Sequence, residues 1–150
     1  MTRVIALEGS HGIGKSTLCD SLKNSGYCVL DEAFMDTMPE FSSRCVTRQM
    51  AWACDWVRRV YNASKTNKIV FVDRSPYSSA MYNEEREMRN TMIKVVDCML
   101  DELKSSHGVN VDTCLLYCES DDKHWKAVTT RLEAEPHRRE FNEDDRGHFQ

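Results

Sequence analysis

The chain has 150 residues, the size of one ordinary domain, so a second folded unit is not expected. Hydrophobic residues at 41% and charged residues at 29% predict a soluble, ordered chain, and no apolar stretch approaches the length that spans a bilayer. A net charge of −4 excludes a broad basic field for nucleic acid, and seven cysteines without a leader or CxxC spacing read as reduced, buried thiols in a cytoplasmic protein.

In chain order, Arg3 to Glu8 (RVIALE) is a short apolar run of strand type, and the glycine-rich turn behind it leads into a helix over 15–24, where Leu18 and Leu22 recur at helical spacing. Ser25 and Gly26 stop that helix, and Tyr27 to Leu30 (YCVL) is a second strand ending at Asp31 and Glu32. From about Glu40 to Asn62 no glycine interrupts, and Met50, Ala53, Cys54 and Val57 predict a long helix opened by Pro39. Ile69 to Val72 (IVFV) is a third strand ending at Asp73 and Arg74, with Pro76 limiting its extension.

Glu84 to Lys104 reads as another helix, whose Met88, Met92, Val95, Val96 and Met99 form a core stripe. Ser105 to Asn110 is a turn, Thr113 to Cys118 (TCLLYC) a fourth strand, and Lys123 to Leu132 a further helix before an arginine-rich stretch. Alternating strands and helices predict an α/β fold: a parallel sheet flanked by helices, with functional groups at the carboxyl ends of the strands.

Gly9-x-x-x-x-Gly14-Lys15-Ser16 matches the phosphate-binding loop pattern in the required setting, after a strand and at the start of a helix. Glycines Gly9, Gly12 and Gly14 let backbone N–H groups curl around an anion, Lys15 adds charge at the β- and γ-phosphates, Thr17 joins them in binding the nucleotide, and Ser16 ligates Mg²⁺. Asp73 reads as the acid near that magnesium and Arg74 as a cation near the reacting phosphoryl group. The loop alone does not identify a reaction.

The segments EGSHGIGKST, LDEAF, DRSPYS and TRLEAEPHRREF, in this order over residues 3 to about 146, resemble the deoxyribonucleoside kinases and the related thymidylate kinases, with a thymidine-kinase-like pattern. The resemblance implies a P-loop nucleoside/nucleotide kinase fold forming one domain over 1–150, with a lid at about 131–146 and an incomplete C-terminal side. It implies ATP and Mg²⁺ as cofactors, and a small nucleoside acceptor with neither nucleic acid nor membrane as partner. A homodimer through the long helices is a family expectation.

On the same resemblance Glu32 is the base that takes the proton of the sugar 5′-hydroxyl, although Ala33 stands where relatives often carry proline and Asp31 competes for the role. Gln49 would read the nucleobase edge and Trp52 and Trp56 would line its pocket, against a plain core role for both rings. Arg131 would hold the donor, Arg138 and Arg139 would close over the transferred phosphoryl group, and Glu140 would hold the deoxyribose. Ser79 and Ala80, where other relatives have an acid and an arginine, point to thymidine or another pyrimidine.

The resulting expectation is transfer of the γ-phosphoryl group of ATP to a deoxynucleoside 5′-hydroxyl. Its rivals are a dTMP kinase, whose anionic acceptor needs cations instead of a base, and a nucleotide-binding switch that phosphorylates no small molecule. The chain lacks the Arg-Glu-Pro-Gly-Gly segment common in bacterial thymidylate kinases. His11, inside the loop, has no role in this reading.

Overall fold

The apolar run ahead of the glycine turn is strand β1 (Thr2–Gly9), and it lies inside a four-stranded sheet. The structure, a computed structural model, describes residues 1–10 and 12–117, with residues 122, 123, 125, 126, 129 and 130 beyond them. After β1 come α1 (Lys15–Asn24), β2 (Cys28–Leu30), α2 (Val46–Ser64), β3 (Ile69–Asp73), the short α3 (Ser78–Met81), α4 (Arg86–His107) and β4 (Val109–Leu116). The sheet order is β2-β3-β1-β4 and every pairing is parallel.

Register brings the strand ends level. Leu7 pairs with Asp73 and Leu30 with Val72, so Glu8, Glu32, Asp73 and Arg74 collect at one edge of the sheet. Alternation along the strands points Val4, Ala6, Val70 and Val72 to one face, where they pack with Trp52, Trp56 and Val60 of α2 and Leu103 of α4. Truncating either tryptophan to alanine in such a core costs about 3–5 kcal/mol.

Two boundaries differ most from the sequence expectation. The long helix begins at Val46 instead of about residue 40, because the chain before it is a series of turns, including Phe41 N–H to the Met38 carbonyl and Cys45 N–H to the Ser42 carbonyl. Strand β4 starts at Val109, where a turn through Asn110 was expected, because Gly108 ends α4 in the left-handed conformation (φ 66°) and extends at once.

The cysteines are free among the described residues, but Cys19 is buried whereas Cys54, Cys98 and Cys114 are exposed, so burial of all of them is corrected. Among the described residues no helix is long and apolar enough to cross a membrane.

Candidate functional site

The glycine turn between β1 and α1 has the shape its sequence calls for. Gly12 (φ 76°) and Gly14 (φ 102°) take left-handed conformations, and a Cβ at Gly9 would stand 2.7 Å from the Leu116 carbonyl oxygen. Gly14 caps α1 without a side-chain hydrogen bond, which leaves the N–H groups of the first turn for an anion, with Ser16 and Thr17 exposed beside them. Lys15 is buried, and its ammonium donates to the Gly9 carbonyl at 2.5 Å and the Ser10 carbonyl at 3.4 Å. Burial, and then the charge of Arg74, push the lysine down to about 8, while Asp73, Glu8 and Glu32 pull the other way. An anion placed here favours the charged ammonium and so offsets both causes.

Asp73 ends β3 beside this lysine. Its Oδ1 is buried with no hydrogen-bond partner among the described residues, and burial together with the Glu32 charge raises its carboxyl. A buried carboxylate oxygen without a donor among the described residues, within electrostatic reach of the phosphate loop's Lys15, fits a divalent cation.

Arg74 follows in a left-handed conformation (φ 76°) that non-glycine residues rarely adopt. Its Nε donates to Glu32 Oε2 at 2.7 Å and its Nη1 to Ser78 Oγ at 3.5 Å. Burial opposes its charge, but Tyr82, Glu32 and Glu8 outweigh that, so the guanidinium stays protonated. Glu32 is thereby drawn to the loop, whereas Asp31 faces out and pairs with Lys23 at 2.9 Å. A cavity of about 460 Å³ is lined by Glu32 together with Asp31, Phe34, Met35, Asp36 and Arg59 among others.

Three expected acceptor residues are placed differently. Trp52 is 1% exposed and Trp56 fully buried, so neither ring has a face open to a base; their indole N–H groups donate to the Glu32 and Arg74 carbonyls. Gln49 is also fully buried, donating to the Ser43 carbonyl at 2.9 Å and accepting from Asn83 Nδ2 at 3.2 Å. All three hold the frame of the site as it stands, with no face open to a base. Arg131, Arg138, Arg139, Glu140 and His11 lie outside the described residues.

Glu8 is a site residue that the sequence reading passed over as the last apolar-strand position. One of its oxygens, Oε1, accepts from Ser75 N–H at 2.7 Å, Ser75 Oγ at 2.8 Å and Ser78 Oγ at 2.6 Å. This clasp fixes the Asp-Arg-Ser turn to the start of the phosphate loop. An acid directly before the first glycine, two strands away from a serine-rich turn, was the available signal.

A glycine cradle, a buried lysine and an orphaned strand-end acid at the carboxyl edge of a parallel sheet define a P-loop nucleotide-binding domain. A family model described as AAA domain matches residues 4–146, and the chain belongs to that family. No curated protein matches it.

Proposed function

We propose that this domain is an ATP-dependent phosphotransferase acting on the 5′-hydroxyl of a deoxynucleoside. The observation that carries the reading is the Glu32 carboxylate, which meets Arg74 at 2.7 Å within electrostatic reach of Lys15 and Asp73, on a residue that also lines an open cavity.

In this reading Lys15 and the first-turn N–H groups of α1 hold the donor phosphates, and Ser16 and Asp73 would hold magnesium, which would supply charge neutralisation at the phosphate oxygens. The acceptor hydroxyl gives its proton to the Glu32 carboxylate as its oxygen bonds to the γ-phosphorus. The bond from that phosphorus to the bridging oxygen breaks, and ADP leaves. Arg74 orients Glu32 and offsets charge on the transferred group. Arg131, Arg138, Arg139 and Glu140 keep the lid roles that the resemblance implies, and the pyrimidine preference rests on that resemblance alone.

The cavity supports a hydroxyl acceptor over a phosphate acceptor. Asp31, Glu32 and Asp36 line it, and its one arginine among the described lining residues, Arg59, is committed to the Asp31 carbonyl at 2.6 Å and to Asp55 at 3.2 Å. An anionic monophosphate would find acids among the described lining residues and, besides Arg59, no cation among them. Incubating the protein with γ-labelled ATP and thymidine, deoxycytidine or dTMP in parallel tests the reading. Label is expected on a nucleoside; label on dTMP only, or ADP release indifferent to every acceptor, contradicts it.

A further inference from the structure

Trp52 and Trp56 stand one turn apart on α2, and each reaches the end of a different strand. Trp52 Nε1 donates to the Glu32 carbonyl at 2.5 Å and Trp56 Nε1 to the Arg74 carbonyl at 2.9 Å. Glu32 and Arg74 are the two halves of the 2.7 Å ion pair at the mouth of the phosphate loop. One helix therefore sets, through two ring N–H groups, the main chain that carries both charges.

Backbone strain at Arg74 gives this pinning a purpose. A non-glycine residue at φ 76° persists when its surroundings over-determine it. Arg74 meets that condition: its N–H donates to the Leu7 carbonyl at 2.9 Å, its carbonyl accepts from Trp56, and its side chain is held by Glu32. The rings are buried, so water does not compete for the N–H groups.

We propose that Trp52 and Trp56 are positioning residues, whose indole N–H groups hold the Glu32 and Arg74 main chain so that carboxylate and guanidinium meet beside the transferred phosphoryl group. The kinetic consequence rests on the phosphotransferase reading; the pinning itself does not. Donor binding through Gly14, Lys15 and Ser16 involves neither ring, while small displacements of a base degrade proton acceptance strongly.

Trp52→Phe and Trp56→Phe in the full chain keep most of the aromatic packing and delete the N–H. Val60→Ala, fully buried one turn further along α2, is the packing control. Each tryptophan variant is expected to lose about tenfold or more in kcat with KM for ATP changed less than about twofold, whereas Val60→Ala loses thermal stability and keeps kcat. Trp56→Phe is also expected to lower Tm by several degrees and to speed amide exchange at Arg74, whose N–H donates to the Leu7 carbonyl, more than Val60→Ala does.

Equal kcat losses in Val60→Ala and the tryptophan variants, or exchange at Arg74 no faster in Trp56→Phe than in Val60→Ala, overturn the proposal. If Trp56→Phe does not fold, the kcat-against-KM comparison on Trp52→Phe decides. If the wild-type chain transfers phosphate to no acceptor, the phosphotransferase reading fails, and amide exchange at Arg74 alone judges the pin.

Discussion

Lys15 carries a charge that the folded chain holds at a cost. Its value falls from 10.5 to about 8 on folding, through burial first and Arg74 second, so the unfolded chain binds that proton more tightly. The penalty is fully present below about pH 8 and fades as pH rises toward 10.5, which makes this group's contribution to stability rise with pH. The shift corresponds to an upper figure on the order of 3 kcal/mol, part of it offset by the bonds to Gly9 and Ser10. Lys15→Met should therefore unfold about 1–2 kcal/mol later than wild type in urea at pH 7, with a gap that narrows between pH 8 and 10, while losing ATP binding. A gap independent of pH contradicts the assignment. Glu8→Gln should cost about 1–2 kcal/mol by replacing a charged acceptor of three bonds with a neutral one, measured by the same unfolding curves. Lys15, Asp73 and Glu32 were legible because each stands in a segment with its own pattern. Glu8 was not, since its partners Ser75 and Ser78 come from a neighbouring strand end that only the parallel register brings beside it.

Helix α2 shows what periodicity resolves and what it omits. The apolar spacing located its body and its inward face, but not its start. Residues 33–45 avoid glycine yet are not helical, because Arg48 satisfies their carbonyls from inside α2: Nε donates to Thr37 at 2.9 Å, Nη1 to Phe41 at 2.8 Å and Nη2 to Phe34 at 3.2 Å. Its guanidinium also lies 4.7 Å from the centre of the Phe34 ring. A buried arginine looks, in sequence, like any polar residue on a helix. The polar tips of Trp52 and Trp56 were hidden for a similar reason, since the rotation of α2 against the strand ends is set by tertiary packing. Arg48→Lys keeps the charge and loses the fork, so it should destabilise the chain by about 2–3 kcal/mol and speed amide exchange selectively over residues 33–45. Exchange that quickens evenly along the chain contradicts this role.

At the scale of the molecule, the order β2-β3-β1-β4 draws Glu8, Glu32 and Asp73 to one edge against Lys15 and Arg74. The class of fold and the edge carrying the chemistry were legible from strands alternating with helices; the order of the strands was not, because no local pattern encodes which parallel neighbours pair. Among the described residues, three carboxylates face two cations there. Burial first and the Glu32 charge second raise the Asp73 carboxyl, so its ionised form is disfavoured in the fold, a penalty absent below about pH 4 and present at pH 7. Asp73→Asn should therefore raise the Tm of the free chain at pH 7 by a few degrees and abolish the extra stabilisation that Mg²⁺ adds to ATP. A free-chain Tm that falls, or an undiminished Mg²⁺ effect, contradicts the cation site.

The central claim is that Glu32 accepts a proton from the acceptor hydroxyl. Single-turnover transfer from ATP to the nucleoside by Glu32→Gln, beside ATP affinity of the same protein, tests it most directly. A rate reduced by about 10²–10⁴, with ATP affinity within a few-fold of wild type, is the predicted result. An unchanged rate would contradict it.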